Sequence, residues 1–91
     1  MGEETRIAVI AIIVEQPDAV AGLNEILHDY GKYVVGRMGI PYHRRGVNII
    51  SVAVDAPQST VSAMSGKIGA LKGVAVKTAY SNVTSGECSP E

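Results

Sequence analysis

The sequence predicts an α+β domain of the ferredoxin-like type: a four-stranded antiparallel sheet carrying two helices on one face. Three observations predict it. Apolar runs of strand length alternate with segments of helical period in the order β-α-β-β-α-β. The segment Val14-Glu15-Gln16-Pro17 recurs as Val54-Asp55-Ala56-Pro57, each time where a strand gives way to a helix. The stripes that follow also correspond, Val20, Leu23, Leu27 and Tyr30 matching Val61, Met64, Ile68 and Leu71. Two β-α-β halves with right-handed crossovers interleave into one sheet.

Arg6 to Val14 (RIAVIAIIV) is a continuous β-branched run. Such continuity marks a strand covered on both faces, or a central strand whose second face meets another subunit. Pro17 and Asp18 open the first helix, a position where proline's fixed φ and a carboxylate are both favoured. Val20, Leu23, Ile26, Leu27 and Tyr30 form its apolar stripe, which leaves Asn24, Glu25, His28 and Asp29 towards water. Gly31 is expected to end it as a left-handed cap.

Tyr33 to Ile40 (YVVGRMGI) reads as the second strand, with Gly36 and Gly39 pointing to a bulge or a close backbone approach. Pro41 to Gly46 carries the turn into a third strand, Val47 to Asp55, whose Ile50, Val52 and Val54 share one face. Ile49, Ser51 and Ala53 share the other. Pro57 opens the second helix, with Val61, Met64, Ile68 and Leu71 as its buried stripe and Gly73 as its break. Val74 to Tyr80 closes the domain. Residues 1–5 read as an extension, 6–80 as the domain, and 81–91 as a flexible polar tail.

A 91-residue chain supports one domain with a marginal core. Eight Lys and Arg against nine Asp and Glu leave a net charge of -1, with four Tyr, no Phe and no Trp. Without a basic excess or stacking aromatics, direct nucleic-acid binding is not expected. The one Cys, Cys88 in the tail, permits neither an internal disulfide nor a cysteine-rich zinc site. The apolar run from Ile7 to Val14 is far shorter than a membrane span, and the acidic start at Glu3 and Glu4 is unlike a signal peptide. A cytoplasmic protein without membrane contact is the expectation.

The face of the sheet away from the helices should be polar at alternate positions if the domain works alone. Here the strands are apolar on both faces, apart from Ser51, Lys77 and Thr78. An uncovered apolar sheet predicts a homo-oligomer, a dimer or tetramer, joined through the open face or the strand edges.

A four-stranded, two-helix domain of this size with apolar strands looks like the ACT-type regulatory domains. It resembles more closely a small family of free-standing ACT-like proteins named as proposed iron-only hydrogenase system regulators. The residues that carry the resemblance are Arg6-Ile7-Ala8-Val9-Ile10, Leu23-Asn24-Glu25-Ile26-Leu27-His28 and Gly36-Arg37-Met38-Gly39-Ile40-Pro41-Tyr42. Ile49-Ile50-Ser51-Val52, Val54-Asp55-Ala56-Pro57, Ser65-Gly66-Lys67 and Val76-Lys77-Thr78-Ala79-Tyr80 continue it. The resemblance runs from about Arg6 to Tyr80. It implies a homo-oligomeric, non-enzymatic regulatory module, related in fold to the metal-sensing half of nickel-responsive regulators. Two departures bear on what carries over. The turn after the first strand, Glu15-Gln16-Pro17-Asp18, lacks the glycine with which ACT domains typically hold an amino acid. Met1 to Thr5 is too short for the ribbon-helix-helix segment that precedes the sensing domain of nickel-responsive regulators.

Arg37 is the leading site candidate, a charge within an otherwise apolar strand and between Gly36 and Gly39. Such a charge calls for a partner across an interface, a ligand, or a role in protecting a strand edge. His43, Arg44 and Arg45 at the hairpin turn could take an anion or a neighbouring subunit's acids, or stand solvated. His28 and His43 are weak metal candidates without HxH, HxxxH or Cys-His spacing. No cofactor is called for. Other functions known on this architecture fail at their motifs. An acylphosphatase-like enzyme needs a phosphate-cradling loop with an Arg after the first strand, where Glu15-Gln16-Pro17-Asp18 would instead repel an acyl phosphate. A copper chaperone needs Cys-x-x-Cys at that turn, and an RNA-recognition sheet needs aromatics on its first and third strands. The expectation is a non-enzymatic regulatory or protein-interaction module. The alternative is a small-molecule or metal sensor whose site lies at a subunit interface.

Overall fold

In the computed structural model, which describes residues 4–84, the elements follow the expected order. They are β1 (Arg6–Val14), α1 (Ala19–Asp29), β2 (Val34–Tyr42), β3 (Val47–Ala56), α2 (Gln58–Gly69) and β4 (Val74–Thr84), with a short 3-10 turn at Gly31–Tyr33. The strands lie in the order β2-β3-β1-β4, and every neighbouring pair is antiparallel.

The apolar run of β1 resolves into two faces. Ala8, Ile10, Ile12 and Val14 are buried beneath the helices, whereas Ile7, Val9 and Ile13 are exposed on the far side. In β3 the same division buries Ile50, Val52, Val54 and Ala56 and exposes Ile49. From α1 the core receives Ala19, Leu23 and Leu27, and from α2 Val61, Met64 and Ile68. Val20, Ile26, Tyr30 and Leu71 pack at its margin. One hydrophobic layer therefore lies between the helices and the sheet, and nothing in the described chain covers the opposite face.

Several boundaries differ from the sequence reading. α1 begins at Ala19 because Gln16 and Pro17 form a turn ahead of it, with the amides of Ala19 and Val20 donating to their carbonyls at 3.0 and 3.1 Å. Gly31 is not a left-handed cap. Positive φ occurs in the described chain only at Gly46 and Gly73, and α1 runs into the 3-10 turn, where the Tyr33 amide donates to the Tyr30 carbonyl at 3.0 Å. β2 continues through Pro41 to Tyr42, so the turn is confined to His43–Gly46. A proline is tolerated there because β2 is an edge strand. The expected irregularity in β2 is present as a register shift between Val34 and Gly36.

β4 extends to Thr84, past the expected end at Tyr80, because its last residues pair with the start of β1 at Arg6. The expected tail thus begins within a strand, and Cys88 lies outside the described residues. Thr78 stands opposite Ile10 and so faces the helices, not the open side; its hydroxyl lies 2.6 Å from that of Ser65 on α2. No helix of the described chain is long and apolar enough to cross a membrane.

Candidate functional site

Two surfaces answer to the sequence expectations: the uncovered sheet face, and a groove where α1 passes the edge of the sheet.

The register builds the uncovered face row by row. Gly36, Ala53, Val9 and Ala79 form one row across the four strands. Met38, Ser51, Ala11 and Lys77 form the next, and Ile40, Ile49, Ile13 and Ala75 the third. Tyr42 and Val47 extend it at the hairpin end, and Ile7 at the other. Met38 and Ile40 are 68% and 57% exposed, and Ile7, Val9, Ile13 and Ile49 lie between 40% and 43%. Lys77 is the one charge among these three rows. Strand spacing and rise give the face an area on the order of 500 Å², at the upper end of what single-chain proteins leave as one apolar patch.

The groove begins with Arg37. Its register partner is the buried Val52, which places it on the helix side of β2, beyond the reach of the core. Its guanidinium Nη2 donates to Asn24 Oδ1 on α1 at 2.9 Å. Asn24 and His28 are one helical turn apart, so both look across at β2. Together with Leu27, Gly31, Val34 and Val52 these residues line a concavity of about 400 Å³. Leu27 and Val34, over the fully buried Val52, give it an apolar floor; Arg37, Asn24 and His28 give it a polar rim. Among the described residues, no acidic side chain lines it.

The remaining candidates are placed elsewhere. Gly36, on the open side, lines a shallower depression with Met38, Ser51 and Ala53. Gly39 faces the helix side opposite Ile50. His43, Arg44 and Arg45 are exposed at the hairpin tip, separated from Arg37 by the intervening length of β2. The two histidines are therefore far apart, and no group of three or more metal-ligating side chains occurs among the described residues. At the turn after β1 the Glu15 amide donates to the Gly73 carbonyl at 2.7 Å and Gln16 lies against Gly73, and Gln16, Asp18, Ala19, Leu71 and Lys72 line a smaller concavity of about 280 Å³. Asn24 is the groove residue that sequence reasoning passed over, having been placed towards water. Its spacing from His28 was the available signal.

On the outer surface Lys67 of α2 sits 5.1 Å from the centre of the Tyr30 ring. Its hydrogen bond to Tyr30 holds the ammonium above the ordinary lysine pKa, with Asp29 adding in the same direction.

Comparison with known proteins bears on what these surfaces serve. Residues 6–78 match the TM1266-like family, described as "Iron-only hydrogenase system regulator, putative". Among solved structures, protein TM1266 from Thermotoga maritima superposes with a TM-score of 0.80 at 31% identity, over 84% of this chain and 96% of that one. A formyltetrahydrofolate deformylase from Pseudomonas putida KT2440 gives a TM-score of 0.62 at 13% identity, over 85% of this chain but 29% of that enzyme. The second likeness is one of fold. No curated protein matches the chain.

Proposed function

The chain belongs to the TM1266-like family, and from that premise we propose that it is a non-enzymatic, ACT-like regulatory module of an iron-only hydrogenase system, acting as a homo-oligomer. The observation that carries this reading is the uncovered sheet face, where Ile7, Val9, Ile13, Met38, Ile40 and Ile49 stand together in water. Two copies meeting face to face would remove on the order of 1,000 Å² in total, which reaches the lower bound for a biological interface. The β2 edge is a poorer candidate. β2 is interrupted by the register shift near Val35 and by Pro41, features that blunt strand addition. The face serves association, and the helix side remains free to engage other components.

A second reading, a small-molecule sensor, is favoured by the groove beside Arg37. The first is tested in the host organism by deleting the gene and measuring hydrogenase activity and hydrogenase transcript together. The expected result is altered activity, restored by the wild-type gene but not by one encoding Ile13→Lys with Ile49→Lys. Unchanged activity and unchanged transcript would overturn the regulatory role. A change in activity without a change in transcript would assign regulation to enzyme assembly.

A further inference from the structure

We propose that the groove between α1 and β2 binds a small carboxylate bearing an apolar portion. Among the described residues, Arg37 bonds through its side chain to Asn24 alone, so most of its five N–H donors remain available. That bond also occupies the Asn24 carbonyl oxygen, so Asn24 presents its amide N–H groups. His28, the third polar residue, carries an N–H in either protonation state. The rim is therefore rich in donors and includes a fixed positive charge, and among the described residues no acid lines it.

The floor decides between kinds of anion. Val34 is partly buried, Leu27 is almost fully buried, and Val52 lies fully buried beneath them, so the surface under the rim is apolar. A bare phosphate would gain nothing from that floor, whereas a carboxylate on a hydrocarbon stem would set its charge against Arg37 and its stem against Val34 and the edge of Leu27. The volume of about 400 Å³ is in the range of small-molecule sites. Arg37 is held in place by Asn24 before any ligand arrives, which lowers the cost of ordering a long side chain on binding. The site lies across the sheet from the association face and does not require it.

The test is a ¹⁵N–¹H NMR titration of the full chain with 4-methylpentanoate, with its neutral amide, and with inorganic phosphate. The carboxylate is expected to shift the amides of Asn24, His28 and Gly31 in the millimolar range, with the amide and phosphate weaker by about tenfold or more. Arg37→Gln should weaken the carboxylate by a similar factor while leaving the rest of the spectrum in place. A Cβ at Gly31 meets nothing within 4 Å, so Gly31→Leu should fill the groove and abolish the shifts. If Arg37→Gln unfolds the chain, Gly31→Leu decides. The proposal is overturned by an absence of shifts at the groove, by equal binding of the neutral amide or of phosphate, or by full binding in Gly31→Leu. Because the readout is local to α1, it stands apart from any measurement of subunit number.

Discussion

Ile13 on β1 is the register partner of Ile49 on β3, and both side chains stand on the uncovered face, 42% and 41% exposed. Two β-branched residues side by side on central strands, with Ile40 continuing the row on β2, are what a core looks like with its second layer removed. Strands written for burial on both sides thus receive only one covering layer from this chain.

Ile49→Lys should weaken self-association while leaving the fold intact. Losing that apolar contact costs about 2 kcal/mol per face; both faces of a dimer lose it, so the dissociation constant should rise by roughly a thousandfold, before the buried charge is counted. Sedimentation equilibrium measures the change, and thermal unfolding at fixed low concentration checks that the single copy still folds. Association unchanged in Ile49→Lys would place the interface elsewhere.

Gly73 should be nearly irreplaceable. It has φ +80°, and a Cβ there would fall 2.6 Å from Gln16 Cγ and 2.8 Å from Gln16 Cβ. Because the Gln16 Cβ is fixed to the backbone, the clash is not relieved by a side-chain turn. Gly73→Ala should cost about 1 to 3 kcal/mol in urea unfolding. Gly66→Ala is the control: it lies within α2, and its Cβ would meet nothing within 4 Å. It should stabilise by about 0.5 to 1 kcal/mol through helix propensity.

The Ser65 and Thr78 hydroxyls, 2.6 Å apart and partly buried, tie α2 to β4. Ser65→Ala or Thr78→Val alone strands one hydroxyl and should cost about 1 to 2 kcal/mol; the double variant should cost less than the two singles summed. Chemical denaturation of the four proteins completes the cycle. Strict additivity would mean that the hydroxyls do not stabilise each other.

Lys67 carries a pH signature. Its folded-state pKa is raised above 10.5, mainly by its hydrogen bond to Tyr30. A raised pKa favours the folded state while the group is charged, so the contribution is fully present below the ordinary lysine value and fades as pH rises through the higher folded value. The stability difference between wild type and Lys67→Gln should therefore be flat near neutral pH and shrink in the alkaline range above 10.5. A difference that grew there would reverse the assignment.

The fold was legible because punctuation and periodicity agree. Pro17, Pro57 and Gly73 fall at joints between elements, and the β-branched runs and helical stripes between them have unmistakable periods. What escaped was decided by pairing across the sheet. Ser81 and Asn82 are polar and read as tail, yet β4 runs through them because Tyr80 pairs with Ala8 and Thr84 with Arg6 on either side. Gly31 resembles a cap residue, but the 3-10 turn from Tyr30 to Tyr33 redirects the chain without left-handed backbone. The uncovered face could be read directly from the apolarity of alternate positions in β1 and β3. The groove was half legible. Arg37 drew notice as a charge in an apolar strand, but Asn24 lies thirteen residues away. Only the crossing of α1 over the sheet edge brings the two together.

The central claim is that a second copy covers the open sheet face. The most direct measurement is native mass spectrometry of the intact chain at micromolar concentration, paired with sedimentation velocity at the same concentration. A dimer or tetramer for the wild type, reduced to a monomer by Ile13→Lys with Ile49→Lys, is the predicted result. A wild-type chain that is monomeric by both methods would contradict the claim.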